Sequence, residues 1–343
     1  MLVVYAPQHA LHDPPCEFLE GRFAPYAEAP ARAEIILRAL AAADIGPLIA
    51  PDDHGLAPVL AVHTPAYVDH LRTLYGRWAA AGGASEAALP AAFPRPGLDR
   101  ASRAPWALPG LYSFDMSAPV TAGTYTAALA AAHCALTGAA RLLAGECAVY
   151  ALCRPPGHHA AADLMGGYCY LNNAAIAAHY LAADGARRVA ILDIDVHAGN
   201  GTQAIFYERA DVLFVSLHGA PDWEYPYFSG YADQRGQGAG LGFTVNFPLE
   251  KGVDDARYLS VLAAALAHIR AFAPDYVVLS AGFDTFHADP LGQLRLTTPV
   301  YGAIGAQVAA LGAPVLAVQE GGYAREALGA NAVSLLRGLE AGR

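Results

Sequence analysis

The stretch Arg188-Val-Ala-Ile-Leu-Asp193-Ile-Asp195-Val-His197-Ala-Gly-Asn200-Gly-Thr202 decides how this chain is read. It opens as a run of apolar and β-branched residues, the pattern of a strand buried on both faces of a parallel sheet. It closes with two carboxylates and an imidazole at alternate positions, then Gly-Asn-Gly-Thr and a helical pattern. In extended backbone, side chains two residues apart point the same way. Asp193, Asp195 and His197 are therefore expected to project together from the end of the strand. Carboxylates buried side by side are unfavourable unless a cation neutralises them, and a metal is the simplest resolution.

Similar short apolar runs recur at 2–5, 47–50, 148–152, 212–217, 243–247, 276–280 and 315–319. Between them lie Ala- and Leu-rich helical patterns at 31–43, 124–143, 172–183, 254–272 and 299–311. That alternation predicts an α/β protein with three layers, α/β/α, around an eight-stranded, mostly parallel sheet, and one domain over 1–343. Residues 79–117 break the rhythm: they are rich in Ala, Gly and Pro and carry Phe93, Trp106, Leu111, Tyr112 and Phe114. So many aromatics predict an ordered loop that packs on something, a second subunit included.

The 343 residues are 55% hydrophobic and 15% charged, which predicts a large core. A net charge of -10 argues against a nucleic-acid partner. Cys16, Cys134, Cys147, Cys153 and Cys169 are an odd, unclustered set without Cys-x-x-Cys, as expected of reduced thiols in the cytoplasm. Met1-Leu-Val-Val-Tyr5 reads as a first strand rather than a leader. Residues 121–140 lack Asp, Glu, Lys and Arg but are mostly Ala, Thr and Gly around His133, so a helix packed inside the protein is expected and no membrane partner. Arg187-Arg188 and Glu208-Arg209 read as solvated flanks.

Polar residues gather directly after four of the apolar runs. These are Arg154-Pro-Pro-Gly-His158-His159, Asp195 with His197, Gly282-Phe-Asp284, and Glu320-Gly-Gly-Tyr323. In open parallel sheets the ligand site lies beyond the carboxyl ends of the strands, so all four are expected to face one crevice. Asp195, His197 and Asp284 make a plausible ligand set with a position left open, as catalytic zinc requires; the same donors suit Fe(II), Mn or Co. Adjacent histidines in extended chain normally diverge, but Gly157 allows a tight bend before His158 and His159. Two imidazoles beside a metal are what acid–base hydrolysis requires. Asp193 and Asn200 are the available orienting partners. Tyr323 offers a phenol to a carbonyl oxygen and the oxyanion formed from it. Gly166-Gly167-Tyr168-Cys-Tyr170 suits a close-packed wall.

These segments, with Gly166-Gly-Tyr-Cys-Tyr-Leu-Asn-Asn173, Ser216-Leu-His218 and Asp284-Thr-Phe-His-Ala-Asp-Pro290, resemble the histone deacetylase superfamily over nearly the whole chain. Glu28-Ala-Pro-Ala-Arg-Ala-Glu34, the insertion before Thr121 and Phe206-Tyr-Glu-Arg209 make the chain most similar to its bacterial acetylpolyamine amidohydrolases. The resemblance implies an arginase/deacetylase fold, with zinc on Asp195, His197 and Asp284. It implies His159 as general base and then acid, His158 as electrostatic partner, Asp193 and Asn200 behind them, and Tyr323 polarising the amide carbonyl. A structural potassium ion would sit near Asp193, Asp195, His197, Ser216 and Leu217. Gly167, Tyr168 and Tyr225 would line a substrate tunnel with Leu291 near its rim, and the insertion would serve a homodimer and narrow the entrance. The implied reaction is hydrolysis of an acetyl or short acyl amide on a small N-acetylated amine, acetylpolyamines first, with acyl-lysine or another N-acyl amine as alternatives.

Some positions depart from the pattern. Ala198 replaces a second histidine that is not a zinc ligand. Trp106, Ser117 and His287 stand where acids that would bind a cationic substrate are expected, leaving Asp115 as the nearest survivor in the tunnel region. Two rivals share the fold: an arginase-like two-metal hydrolase, for which Gly199 stands in place of a needed carboxylate, and a non-catalytic metal-binding module.

Overall fold

The eight apolar runs become the eight strands of one parallel sheet in the computed structural model, which describes all residues except 20, 96, 98, 101, 186, 187 and 343. In chain order the strands are β1 (Leu2–Val4), a separate antiparallel hairpin of β2 (Cys16–Leu19) and β3 (Arg22–Pro25), β4 (Leu48–Ile49), β5 (Ala148–Ala151), β6 (Val189–Asp193), β7 (Val212–Gly219), β8 (Thr244–Leu249), β9 (Tyr276–Ala281) and β10 (Val315–Gln319). The sheet runs β4-β1-β5-β10-β9-β6-β7-β8. Along β6, Val189 and Ile191 join the apolar layer on one face, while Ala190 and Leu192 join the other. Covered on both faces, the strand has no need of polar alternation, which is why it reads as a continuous apolar run.

The helices are α1 (Ala31–Ala42), α2 (Ala57–Leu60), α3 (Pro65–Ala80), α4 (Thr124–Leu143), α5 (Asn173–Ala183), α6 (Asn200–Phe206), α7 (Asp255–Phe272), α8 (Thr298–Ala309) and α9 (Arg325–Ala341). Residues of α3, α4 and α5 fill one layer; those of α1, α7, α8 and α9 fill the other. Local chemistry starts several of them. Thr64 caps α3 with Pro65 at its first turn, and the side chains of Asn172 and Asp254 accept from Ala175 N and Arg257 N. Helix α4 is long and apolar enough to cross a bilayer, but 61% of that window is buried inside the protein.

Two boundaries differ from the reading above. Helix α3 runs through Ala80, so the irregular segment begins after it. The β2–β3 hairpin was not anticipated, because its strands are short and β3 is largely exposed, leaving no alternation to detect. Within 79–117, Tyr112 and Phe114 pack on their own chain, against Tyr67 and Tyr225, whereas Phe93 and Trp106 are exposed. Arg187 lies outside the described residues; Arg188 is a strand flank whose N–H donates to Asp275, and Arg209 pairs with Asp211.

His63 ties this scaffold to the polar loops. Its Nε2 accepts from Asn172 N at 2.9 Å, at the cap of α5, and the next residue's N–H donates to Ala162 O. Burial lowers its pKa from 6.5 to about 4. A histidine held neutral when folded but free to protonate when unfolded contributes stability above pH 6.5 that is lost as pH falls towards 4, worth about 3 kcal/mol in full. The melting temperature of the wild type should therefore drop more steeply between pH 7 and 4.5 than that of His63→Gln. Parallel curves in thermal melts would remove His63 from this account.

Candidate active site

Strands β5, β10, β9 and β6 are consecutive neighbours in the sheet and all parallel. The four polar segments that follow them therefore leave the same edge side by side. Asp195 and His197 do meet, while Asp193 turns to His158, and the pair does not form by continuing an extended strand. β6 ends at Asp193, and each carboxylate caps the amide two residues on: Asp195 N donates to Asp193 Oδ1 at 3.1 Å and His197 N to Asp195 Oδ1 at 3.0 Å.

Asp195, His197 and Asp284 are all buried, and one ligand atom from each lies within 4.8 Å of the others. His197 Nδ1 is 3.0 Å from Asp195 Oδ1 and 3.4 Å from Asp284 Oδ2. Asp284 Oδ1 accepts from Val196 N at 2.8 Å, whereas the buried Oδ2 has no hydrogen-bond partner among the described residues. Burial, and then the Asp195 charge, push Asp284 well above the ordinary carboxylate range. Gly282 and Gly321 let two loops close on these carboxylates, since a Cβ at either would strike Asp195 or Asp284. A vacant buried oxygen, a strained carboxylate pair and an imidazole fit a divalent cation. A second group, His158, Cys169 and Glu320, is also close-set. Its Glu320 oxygens already accept from Gly157 N, His158 N and Ser280 Oγ, so it reads as a support beneath the histidine loop.

The two histidines converge rather than diverge: their rings are 4.0 Å apart. His158 Nδ1 lies 3.0 Å from Asp193 Oδ2, and His159 Nδ1 2.7 Å from Asn200 Oδ1. The first amides of α6, Gly201 N and Thr202 N, both donate to His158 O at 3.1 Å, which locks the bend. The environments pull the two pKa values apart. Burial alone would lower His158, but Asp195 and Asp193 outweigh it and push it up to about 10. Burial lowers His159 well below 6.5, and the charges of His158 and His197 reinforce that. Such separation is how one member of a pair becomes the base.

Tyr323 is nine-tenths buried, and its loop is held from two sides. Arg32 donates to Gly322 O and Glu320 O, both at 2.7 Å, and its guanidinium carbon sits 4.7 Å from the Tyr323 ring centre. Glu28 pairs with Arg32 and Arg154 in the same buried cluster. Asp289 Oδ2 accepts from Tyr323 N at 2.6 Å and Ala324 N at 2.9 Å, while its Oδ1 accepts from Leu291 N at 3.0 Å.

Residues 26–339 match the histone deacetylase domain. The chain belongs to the histone deacetylase family. It is 48% identical to acetylpolyamine amidohydrolase 1 of Pseudomonas aeruginosa and 44% identical to the acetylpolyamine amidohydrolase of Mycoplana ramosa, in each case over 99% of both chains. The crystal structure of acetylpolyamine aminohydrolase from Burkholderia pseudomallei superposes with a TM-score of 0.95 at 43% identity, covering 100% of this chain and 99% of that one.

In this histone deacetylase family member the imidazoles, His197 and Tyr323 face a cavity of about 470 Å³. Gly167, Tyr168, Tyr225 and Leu291 line it, as does Ser117. Gly167 (φ 51°) and Tyr168 (φ 66°) are both left-handed, which swings the Tyr168 ring to 5.6 Å from that of Tyr323. Holding a tyrosine there costs roughly 1–3 kcal/mol. Asp115, expected along the tunnel, sits behind its wall: Oδ2 accepts from Gly167 N and the Tyr225 hydroxyl, and Oδ1 from Ser117 N. Its charge is spent on wall residues because burial leaves it no water to turn to. Trp106 and His287 are exposed, His287 with Nδ1 3.3 Å from Leu296 O. Asp193 lies opposite Ser216 in the β6–β7 register, next to Leu217. His218, whose role was open, spans Ser216 Oγ and Gly230 O. The buried acids Glu17 and Glu224, also on the cavity wall, were not singled out from sequence. Neither lies in an apolar run or next to a ligand motif, so no local signal marks them.

Proposed function

We propose that this chain is a metal-dependent amidohydrolase that removes acetyl groups from acetylated polyamines, with zinc held by Asp195, His197 and Asp284. The observation that carries the reading is the cavity itself, onto which His197, two imidazoles of opposite charge preference and a buried phenol all open, with Asp195 and Asp284 buried close to His197. Full-length identities of 44–48% to acetylpolyamine amidohydrolases support the substrate class. A bound divalent ion there supplies polarisation of the amide carbonyl and acidification of a water; Fe(II) suits the same donors.

The chain's own residues do the rest. Asn200 accepts the Nδ1 proton of His159, leaving Nε2 neutral and free to take the proton of the attacking water. His158, held cationic by Asp193, favours the negative charge that develops beside it. The Tyr323 hydroxyl donates to the substrate oxyanion, and protonated His159 returns its proton to the departing amine. Acetate and free amine are the products. Tyr323→Phe should lower turnover ~10²–10³-fold while metal content is unchanged; activity at the wild-type level would remove Tyr323 from this scheme.

The same reading puts potassium near Asp193, Asp195, His197, Ser216 and Leu217, and takes residues 1–343 as one deacetylase domain. It gives the segment 79–117, with Phe93 and Trp106 outward, a role in a homodimer, and places the protein in the cytoplasm, in keeping with its odd, unclustered set of cysteines. The decisive experiment is acetate release from N-acetylputrescine, N-acetylcadaverine and a short acetyl-lysine peptide under one set of conditions. The expected result is the highest kcat/KM on the diamines. A preference for the peptide would favour the acyl-lysine alternative, to which Trp106 and Ser117 in place of acids lend weight, and no acetate from any of them would refute the activity.

A further inference from the structure

Glu224 lies in the segment after β7 and has no part in the chemistry above. Only 7% of it is exposed. Oε1 accepts from Tyr225 N at 3.1 Å, and the buried Oε2 has no hydrogen-bond partner among the described residues. A carboxylate buried with a vacant oxygen is unfavourable unless something nearby answers it. On its open side is His197: Nε2 of that ring is 3.9 Å from Glu224 Oε1. The two needs are complementary. His197 turns Nδ1 towards Asp195 and Asp284, so a cation held there takes Nδ1, and the ring's one remaining proton must reside on Nε2. No hydrogen bond to Nε2 is present among the described residues, and Glu224 is the carboxylate that faces it.

We infer that Glu224 is a positioning residue for the metal centre, accepting the Nε2 proton of His197 so that Nδ1 is aimed at the ion and made a stronger donor. Histidine ligands commonly carry such an outer carboxylate, and its loss typically weakens metal binding 10–100-fold. The gap of 3.9 Å exceeds a hydrogen bond, so the contact requires the Glu224 carboxylate to move towards the ring, and its Oε2 has no hydrogen bond among the described residues to give up.

This inference rests on the metal site proposed above, and its test separates the two. Apo-protein is titrated with Zn²⁺ against a chromophoric chelator for the wild type, Glu224→Gln, Glu224→Ala and Asp284→Asn. Glu224→Ala should bind Zn²⁺ ~10–100-fold more weakly and release it faster. Glu224→Gln, isosteric and still an acceptor but uncharged, should fall between it and the wild type, and it carries the measurement if the alanine variant does not fold. KM for N-acetylputrescine and for uncharged N-acetylbutylamine should move together. Zn²⁺ affinity within twofold of wild type in both Glu224 variants would overturn the inference and leave the site reading intact. A KM rise confined to the cationic substrate, at unchanged affinity, would overturn it too, because Glu224 would then read the substrate's ammonium. A wild type that binds no Zn²⁺, or binds it as well after Asp284→Asn, would bring down both.

Discussion

Asp284→Asn should retain little divalent metal through purification and turn over acetylated substrate on the order of 10³-fold more slowly than the wild type. The magnitude follows from the several kcal/mol of transition-state charge stabilisation a Lewis acid provides, at 1.4 kcal/mol per tenfold. Asparagine keeps the acceptor that Val196 N uses on Oδ1, so the backbone there has no reason to move. On the other side it puts an amide donor where the partnerless Oδ2 stood, facing Asp195 and His197. A cation cannot use that donor. The same substitution should make the metal-free protein more stable, which a damaged fold would not. Burial and Asp195 raise the Asp284 pKa, so without metal the folded state holds that proton more tightly than the unfolded one, and stability is lost as pH rises from about 4 through the raised value. Asparagine removes this loss. With chelator at pH 8, Asp284→Asn should melt above wild type; with saturating Zn²⁺ the order should reverse. Equal metal content and equal turnover in the two proteins would exclude Asp284 as a ligand.

His159→Ala should lower turnover ~10²–10⁴-fold with metal content unchanged, the range that a well-placed general base contributes. His159 and not His158 is the base because their partners differ. Asn200 is neutral and leaves His159 a low pKa, whereas Asp193 at 3.0 Å holds a proton on His158. A cation on Asp195 weakens part of the pull on His158, but Asp193 remains. The sign for activity follows: an imidazole whose pKa is below 6.5 stays neutral through the neutral range, so kcat/KM should hold down to pH 6.5 and fall only below it. Asn200→Asp, which supplies an anion to Nδ1, should move that acid limb to higher pH. A larger loss from His158→Ala than from His159→Ala, or an acid limb that ignores Asn200→Asp, would reverse the assignment.

Much of this was readable along the chain. Strands covered on both faces must be apolar throughout, so the eight runs stand out from the Ala- and Leu-rich helices between them. Asp193, Asp195 and His197 lie within five residues, and adjacency in sequence brought them to notice, although each reaches its place through a capped amide and not through strand alternation. His158, His159 and Tyr323 were legible for a similar reason, each following directly on a strand or a glycine turn. The role given to Asp115 was not, because the hydroxyl of Tyr225 and the amide of Gly167 that consume its charge arrive from far along the chain.

The sequence by itself determined the element types, the ends of the strands that carry chemistry and the residue types able to hold a cation, since all of these depend on local periodicity and neighbouring side chains. Only the tertiary structure decided that β5, β10, β9 and β6 are neighbours, that Arg32 and Asp289 clamp the Tyr323 loop from opposite sides, and that Glu224 faces the far nitrogen of His197. Those outcomes depend on long-range pairing and on which charges lose their water on burial, and neither leaves a periodic mark in the chain.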